Sequence, residues 1–422
     1  MRILSLIFIS LIIYPSISTA GDEGTELFNM GPRYNQVYAI HSDYYFSSGS
    51  ITNKFASEYY RADFISNRLK DAVSANLFHR NRFGAEFNAG ISVGQKLDTL
   101  FGSTSGISFI KLNNRAHIDG KFENDLFEIY FRGNKNYAGK KAELGPFQLR
   151  SYTYQQLSYG IEKQHEKNNK KIIWSAALSF NIGQKYTGYD SPGASLYTAT
   201  DGSFLDLDIN LKIRSNDSSQ SKLGSFNGFG FSGAGMLIIK DASQNAWAFS
   251  ADNIGYIQWT KESSLVPVDT SFRFEGIDVS DLFDFSDTIK KEITTDSAYV
   301  QSFLTNRQKK SFSHMVPFHI KASYSAQLKP GKLILQIGAE QILFSQARLR
   351  GFTELKYNFK RRHQLAVNLS YGGYTFWNLG LGYRGQLGKS WVFSAGSDYI
   401  SSILNNGKGL SQGAFVSLEK YF

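Results

Sequence analysis

The fold is decided by residues 363–399, which read HQLAVNLSYGGYTFWNLGLGYRGQLGKSWVFSAGSDY. Apolar or aromatic residues occupy every second position of three segments, which begin at Leu365, Trp377 and Trp391. The positions between them hold mostly Ala, Asn, Ser, Gly and Arg. Because successive side chains of a strand point to opposite faces, this alternation predicts three strands. The short glycine-containing turns between them indicate antiparallel hairpins.

Two architectures contain alternating strands of this kind: a soluble β-sandwich and a membrane β-barrel. Sandwich strands usually have about 5–6 residues. The strands here have about 10–12, which is enough to cross a bilayer at a tilt of about 45°. In lipid every backbone amide and carbonyl needs a partner, and a sheet provides this by closing on itself. The sequence therefore predicts an all-β fold, a closed antiparallel transmembrane β-barrel.

Composition agrees with a β-barrel and excludes several chemistries. The 422 residues include 46 Lys and Arg against 36 Asp and Glu, which gives a formal net charge of +10, and 15% are aromatic. The mean hydropathy of −0.29 is low for a helical membrane protein. The sequence contains no cysteine. Disulfides, thiolate zinc sites, iron–sulfur clusters, thiol catalysis and a lipid-modified N-terminal cysteine are therefore excluded.

Residues 1–20 predict a secretory signal peptide. A positive charge is followed by the apolar segment Ile3–Ile13 and then by small residues that end at Ala20. This order is typical of a signal peptide, and it places cleavage between Ala20 and Gly21. The apolar segment is too short to cross a hydrocarbon layer of about 30 Å as a helix. We expect an exported protein whose single barrel domain comprises residues 21–422.

About sixteen segments have the length and alternation of wall strands, and we predict about 14 wall strands in a range of about 12–16. The segments are 34–46, 84–95, 105–119, 126–132, 152–163, 171–186, 203–213, 226–239, 245–258, 317–327, 332–344, 350–360, 363–372, 377–384, 391–399 and 413–422. With Phe422 on the periplasmic side, the C-terminal connections alternate between short and long, as outer-membrane barrels require. Upstream this rule fails at the long connection 187–202, so one strand between 187 and 226 is missed or wrongly assigned.

Three segments do not have the pattern of a barrel wall, and one of them, 133–151, is polar, basic and rich in turn residues. Residues 57–78 place Ile65, Leu69 and Val73 at helical spacing. They predict an amphipathic helix that plugs the lumen or lies at its periplasmic mouth. Residues 276–315 predict one long loop that contains a helix around 281–294.

The last segment has the features of a terminal barrel strand. Outward-facing residues are expected at alternate positions, namely Ala414, Val416, Leu418 and Phe422. An aromatic last residue is typical of the strand by which outer-membrane barrels are recognised for insertion. The barrel-assembly machinery is therefore an expected partner. Lys420 interrupts the apolar face.

Aromatic residues near strand ends predict contact with the membrane interfaces. The residues expected in these girdles are Tyr371, Trp377, Trp391 and Tyr399. Short basic runs at turns predict contact with phosphates of lipopolysaccharide in addition to outer-membrane lipid.

Several sequence motifs resemble a family of Bacteroidota outer-membrane barrels of unknown function. They include FRGN at 131–134, YQQLSYGIEK at 154–163, FNGFGFSGAG at 226–235, FSADNIGYIQW at 249–259 and FRFEGIDVSDL at 272–282. The family is distantly like the long-chain fatty acid transporter barrels. The resemblance implies about 14 strands and an internal plug, and by analogy it suggests a hydrophobic cargo. It implies no functional residue, because the family has no established activity.

No motif predicts a catalytic, cofactor or metal site. The closest of the seven histidines, His314 and His319, are five residues apart, which places them on opposite faces of a strand. The nearest arrangement to a hydrolytic site is His319 with Ser323 on one strand face, and a polar ladder in the lumen explains it much better. Asp252 and Asn253 are better interpreted as a turn or as a hydrogen-bonding device in the wall.

The leading functional hypothesis is an outer-membrane channel or transporter of a Gram-negative bacterium, with hydrophobic small molecules as one possible cargo. An alternative is a non-catalytic scaffold in a surface-secretion or surface-attachment complex, and a third is a barrel-embedded hydrolase. Export by a signal peptide excludes nucleic acid as a partner. The sequence does not identify partner proteins.

Overall fold

Fourteen antiparallel strands form the wall of one cylinder within the residues that the structure describes. The structure, a computed structural model, describes residues 34–100, 103–216, 224–260, 262–275, 307–359, 362–400 and 409–422. Its strands are β1 (Gln36–Ser48), β2 (Arg80–Leu100), β3 (Ser103–Glu123), β4 (Lys140–Glu143), β5 (Phe147–Lys167), β6 (Lys170–Thr198), β7 (Leu205–Ser215), β8 (Gly228–Lys240), β9 (Ala246–Trp259), β10 (Ser264–Phe274), β11 (Gln308–Lys309), β12 (Phe312–Met315), β13 (Phe318–Lys329), β14 (Leu333–Leu343), β15 (Arg350–Phe359), β16 (His363–Tyr371), β17 (Trp377–Leu387), β18 (Trp391–Ser397) and β19 (Ser411–Tyr421). All except β4, β7, β10 and β11 belong to the wall, and β12 and β13 together make one wall strand.

The first and last wall strands close the cylinder. β1 pairs with β19 from Val37 opposite Tyr421 to Ser47 opposite Ser411. The other edge of β1 pairs with β2 over its whole length. Each described wall strand thus has a partner on both sides, as a sheet in lipid requires. The predicted closed antiparallel barrel and its number of strands are confirmed.

The alternation in the sequence corresponds to the two faces of the wall. Along β16, Leu365, Val367, Leu369 and Tyr371 are between 44% and 49% exposed on the outer surface. Ser370, which lies between two of them, is only 2% exposed because it faces the lumen. The apolar face therefore points outward to lipid, and the small and polar face lines the interior.

The two ends of the barrel differ in their connections. At the end where Phe422 lies, consecutive wall strands are joined by short turns such as 168–169, 241–245, 330–332 and 388–390. Asn168 and Asn169 both have positive φ, of 52° and 58°, as a type I′ hairpin turn requires. We call this the turn end and the opposite one, which carries the longer connections, the loop end.

A side sheet extends from the wall at the loop end. β6 continues past the wall, and its residues 187–198 pair with β7. β7 pairs in turn with β10, while β4 pairs with the last residues of β6. The prediction of a wall strand at 203–213 is therefore wrong, because that segment is β7 of the side sheet. This error explains why the rule of short and long connections failed upstream.

Residues 126–132, predicted as a strand, form a helix. Helix α3 begins at Asn124 and ends at Arg132, and it follows two other helices, α1 (Asn53–Tyr60) and α2 (Asn67–Ser74). Phe127 and Phe131 lie one turn apart and both contact Phe55 of α1, with ring centroids 5.5 and 4.9 Å from it. A seven-residue apolar run fits a strand as well as a helix, and tertiary packing decides between them.

The predicted helix at 57–78 is two helices, and they lie at the loop end. α1 ends where Ala62 takes a positive φ of 57°, and α2 begins after Ser66. Ile65, Leu69 and Leu77 pack on a buried core of Phe55, Val73 and Phe127, so the predicted apolar face is correct. The segment joins β1 to β2 at the end opposite Phe422, and the side of the membrane on which it lies stays a prediction.

Most of the predicted loop at 276–315, including the helix expected around 281–294, lies outside the described residues. Its last residues contain β11 and β12, and β12 continues the wall by pairing with β9. Among the residues that the structure describes, no helix is long and apolar enough to cross a membrane.

Candidate functional site

The lumen is the candidate site, and one half of it is filled by side chains. Towards the loop end, the inward faces of β5, β6 and β9 contribute Tyr152, Tyr186 and Trp259, each at most 1% exposed. The ring centroids of Tyr152 and Tyr186 are 6.0 Å apart, and those of Tyr186 and Trp259 are 5.3 Å apart. These strands, with β8, form what we call the packed half of the lumen.

An amide network crosses the packed half below these rings. The Gln156 side-chain amide donates to Asn181, Ser232 and Asn253 at 2.9–3.1 Å. Asn253 donates to the Tyr154 hydroxyl at 2.7 Å and to the carbonyl of Pro317 at 3.0 Å. Such a network contributes to stability when all of its members are bonded.

Asn253 also shapes the wall. Its φ of 69° produces an irregularity in β9, so that Asp252 and Asn253 both reach the interior although they are consecutive. Pro317 interrupts the opposite strand between β12 and β13, and it cannot donate to the ladder. The side chain of Asn253 bridges this seam, as the interpretation of a wall hydrogen-bonding device anticipated.

Beside these packed side chains, the lumen contains a cavity of about 540 Å³. Its lining reaches from Arg348 and Gly373 at the loop end to Gln364 and Glu419 near the turn end. Strands all round the wall contribute to this lining, including β5, β6, β8 and β9 of the packed half. The largest share comes from the inward faces of β13–β19 and β1, which we call the hollow half. The cavity therefore follows nearly the whole height of the wall.

Two ion pairs cross the lumen. Arg115 on β3 contacts Asp252 on β9 at 3.0 Å, although three wall strands, β5, β6 and β8, separate them. Glu86 on β2 contacts His319 on β13 at 3.3 Å and His117 of the neighbouring β3 at 2.8 Å. These side chains narrow the cavity at mid-height. Removing one partner alone would leave a charge uncompensated in a sheltered site.

Charged groups in the hollow half are also paired along the wall. Arg350 contacts Glu340 at 2.6 Å and Asp398 at 3.4 Å. Nearer the turn end, Arg384 contacts Glu419 at 3.1 Å. Cations and carboxylates of the lining thus neutralise each other, and water in the cavity can hydrate the atoms that remain free.

Two loop-end connections fold inward over the lumen. The backbone amide of Gln346 donates to Asp119 of β3 at 2.7 Å, and its side chain bonds to Gln148 of β5 at 2.5 Å. Tyr374 packs so closely on Gly84 of β2 that a Cβ there would lie 2.2 Å from the ring. Gly84 is therefore required for this contact, which keeps the 372–376 connection at the rim.

The residues predicted for the terminal strand lie as expected on the outer face of β19. Phe422 is 58% exposed and Ala414 is also exposed, while Val416 and Leu418 are half-buried. The Lys420 ammonium lies over the rings of Trp391 and Phe422, 4.7 and 5.3 Å from their centroids. This cation–π contact explains a charged residue on the apolar face. Recognition of the strand by the assembly machinery stays a prediction.

Three of the four predicted interfacial aromatics lie on the outer surface. Trp377 is 65% and Tyr371 49% exposed at the loop end, and Trp391 is 40% exposed at the turn end. Tyr399 is instead buried and lines the cavity, with its ring 6.2 Å from that of Tyr45. β18 ends at Ser397, so the alternation does not extend to Tyr399 and its ring cannot contact a lipid headgroup.

The two residues of the hydrolase hypothesis bond to different partners. His319 contacts Glu86, whereas the Ser323 hydroxyl accepts a hydrogen bond from Gln336 at 2.9 Å. Among the described residues, no group of three or more histidines and carboxylates is arranged to hold a metal ion. The predicted cleavage site at Ala20 and Gly21 lies outside the described residues.

Sequence reasoning missed the ion pairs of the lumen, although a signal was present. Inward positions of β3 carry charge at Lys111, Arg115, His117, Asp119 and Lys121. On this strand the charged residues alternate with outward-facing apolar residues. This alternation indicates a polar interior. It does not identify the partner strand across the lumen.

The family model described as "Family of unknown function (DUF5723)" matches residues 36–398. The chain belongs to this family. No curated protein matches the sequence of this DUF5723 member. Of the lumen ion pairs described above, only the contact of Arg384 with Glu419 extends beyond the matched range.

Several solved structures are similar to the DUF5723 chain. The TodX deltaS2S3 mutant monoaromatic hydrocarbon channel has 7% identity and a TM-score of 0.47, with 92% of this chain and 91% of that chain covered. A Pseudomonas aeruginosa FadL homologue has 8% identity and a TM-score of 0.39, with coverage of 92% and 90%. The translocator domain of autotransporter NalP from Neisseria meningitidis has 8% identity and a TM-score of 0.32, with coverage of 93% and 90%.

Proposed function

We propose that this protein is an outer-membrane channel of a Gram-negative bacterium, and that it passes small polar solutes through a lumen narrowed by ion pairs. The observation that carries the proposal is the cavity of about 540 Å³, whose lining runs from Arg348 at the loop end to Glu419 near the turn end. A barrel that served only as a rigid anchor would have no need for such a space.

The lining favours a polar solute over a hydrophobic one. The cross-lumen pairs and the pairs along the hollow half place charges throughout the cavity. An apolar molecule would lose contact with water there and would gain no apolar surface in return. A hydrophobic cargo would need another route, such as the seam between Asn253 and Pro317, which a buried hydrogen bond of 3.0 Å closes.

The same side chains support a channel without catalysis. A hydrolytic site needs a nucleophile within hydrogen-bond reach of a base, and His319 and Ser323 have other partners. We therefore propose a non-enzymatic role.

The orientation follows from the connections. Outer-membrane barrels have short periplasmic turns and longer external loops. The turn end is then periplasmic, and the loop end faces the exterior and its lipopolysaccharide. Export by the signal peptide at 1–20 and insertion by the barrel-assembly machinery are parts of the same proposal.

A scaffold in a surface complex is the second candidate, and the loop end favours it. We call the side sheet and helices α1–α3 the loop-end platform. Its two apolar cores meet at α3, where Phe127 packs on one core and Ile129 on the other. Asp125 of α3 accepts a hydrogen bond from Tyr137 at 2.8 Å. Burial raises the pKa of Tyr137, and this hydrogen bond raises it further.

A conductance experiment tests the channel. The wild-type chain without residues 1–20, refolded into planar bilayers, should give stepwise currents. The double variant Arg115→Ser with Asp252→Ser should give larger steps, because it removes a cross-lumen pair without leaving one charge alone. A matched control is Arg273→Ser with Asp206→Ser, a surface ion pair of 2.6 Å in the side sheet. The control should conduct like the wild type.

Absence of current from folded wild-type protein and from the lumen variant would refute the channel. Folding is checked independently by the compact, heat-sensitive band of a barrel on gels. A partner that is recovered by the wild type and lost from an Arg273→Glu variant of the platform would then favour the scaffold.

A further inference from the structure

Three cations stand together at the loop end of the lumen. Arg82 on β2 lies directly opposite Lys121 on β3, and both belong to the inward face of their strands. Directly opposed residues on one face have Cβ atoms about 4.5–5.5 Å apart. Arg348 comes from the 344–349 connection, where its guanidinium lies 5.7 Å from the centroid of the Phe376 ring, and its charge, like that of Arg80, acts on Arg82. We call these three residues the basic mouth.

The carboxylates nearest to the basic mouth are already engaged. Asp119 accepts the hydrogen bond of the Gln346 amide at 2.7 Å and lies 3.6 Å from His117. Glu123 lies 3.0 Å from His79 and 3.8 Å from Arg80. Among the described residues, none of the three cations of the basic mouth has a carboxylate within ion-pair distance.

The deeper lumen shows the opposite arrangement. Arg115, Arg350 and Arg384 each contact one or two carboxylates at 2.6–3.4 Å. Charge is therefore balanced within the cavity and unbalanced at its outer end. Like charges that are held together repel each other, and an anion between them would relieve that repulsion.

We propose that the basic mouth binds the anionic group of the solute, a carboxylate or phosphate, before the solute enters the cavity. This inference rests on the proposed channel function and specifies its substrate class. Arg348 belongs to the cavity lining, so an anion bound there is already at the start of the route. Guanidinium groups suit this role because their planar fork donates two parallel hydrogen bonds to one carboxylate or phosphate.

The proposal commits to a dissolved anion rather than a lipid phosphate. A lipid headgroup approaches from the outer surface, where the rings of Tyr371 and Trp377 lie. Arg82 and Lys121 belong instead to the face of the wall that lines the lumen. Asp119 and Gln148, which bond to Gln346 of the loop-end connection, belong to the same face.

The first test is ion selectivity in phosphatidylcholine bilayers under a salt gradient. The wild type should be anion-selective. The triple variant Arg82→Gln, Lys121→Gln and Arg348→Gln should shift the reversal potential towards cations, because the mouth no longer concentrates anions. The control is Lys329→Gln, Lys332→Gln and Lys389→Gln, which removes the same charge from exposed turns at the other end. It should shift the potential less.

The second test does not require conduction. Citrate binding to the detergent-solubilised barrel is measured by calorimetry, and the triple variant should bind about tenfold more weakly than the wild type. The control should bind like the wild type. If no protein conducts but citrate binding depends on the basic mouth, the channel fails and the anion site stands.

Two outcomes overturn the anion site. One is equal selectivity and equal citrate binding in the wild type and in the triple variant, while both are folded. The other is loss of co-purified lipopolysaccharide phosphate from the triple variant with unchanged selectivity and citrate binding. That result would assign the three cations to the membrane.

Discussion

The packed and hollow halves of the lumen differ in how their inward-facing side chains fill the space. In the packed half, large uncharged side chains such as Tyr152 and Trp259 fill the interior and are almost inaccessible. In the hollow half, charged side chains such as Arg350 and Arg384 meet in pairs beside open space. The difference indicates that one half holds the shape of the cylinder while the other leaves room for a solute. Substitutions in the packed half should therefore change stability, and those in the hollow half should change conductance.

The largest effect is expected from Trp259→Ala in the packed half. Trp259 is 0% exposed and contacts Tyr186 and Phe312, so its removal leaves a cavity that costs about 3–5 kcal/mol of the free energy of unfolding. The measurement is the urea concentration at which the refolded barrel unfolds. Trp377→Ala, which removes an indole from the outer surface, is the control. Equal shifts for both variants would contradict the comparison.

Asn253→Ala should lower the free energy of unfolding by about 2–3 kcal/mol. It removes the hydrogen bonds to Tyr154 and to the carbonyl of Pro317, and it places alanine at a φ of 69°. Asn253→Gly separates the two causes, since glycine tolerates this φ. Glycine should restore part of the loss. An identical loss in both variants would show that the backbone conformation contributes nothing.

One alanine in each half is replaced by leucine to test how much free space that half contains. Ala248 packs with Ile173 and Ile238 in the packed half, so Ala248→Leu should cost about 1–3 kcal/mol through overpacking. Ala39 of β1 is half-buried and lines the cavity, and Ala39→Leu should change stability by less than about 0.5 kcal/mol while it reduces conductance. Urea unfolding and single-channel recording are both needed. The reverse ranking would mean that the cavity is not available space.

A small change in stability is also expected from Arg384→Gln. Its guanidinium contacts Glu419 at 3.1 Å and Ser394 at 3.2 Å in a part of the lumen where water can replace it. The free energy of unfolding should fall by about 1 kcal/mol or less. The single-channel current should nevertheless change, because a charge beside the route is lost. A large loss of stability without a change in current would show that Arg384 has a structural role, like the residues of the packed half, and does not affect the solute route.

The wall was predictable because its physics is local. Strands such as β16 and β17 carry the alternation within one short segment, and the lipid requires their apolar face to be outside. Two of the segments that matched this pattern, 126–132 and 203–213, are not wall strands. In both cases the decision depends on residues distant in sequence. Phe55 holds α3, and the extension of β6 holds β7 outside the wall.

The candidate site was less predictable than the wall. The alternating charges of β3 are visible in the sequence, and they indicate a polar lumen. The pairing of Glu86 with His319 is not visible, because it depends on which strands face each other once the cylinder closes. The basic mouth is hidden for the same reason, since the inward fold of the 344–349 connection brings the charge of Arg348 to the end of the lumen where Arg82 lies.

The seam between β1 and β19 has a consequence for biogenesis. There the hydroxyls of Ser47 and Ser411 lie 2.9 Å apart, although 364 positions separate them along the polypeptide. If the protein is exported as proposed, the last hairpin has to reach the periplasm before the first can pair with its neighbour. Until then both hairpins expose unpaired edges that could join the wrong chain. A translocation intermediate stalled even shortly before completion should depend on periplasmic chaperones and be a substrate for proteases.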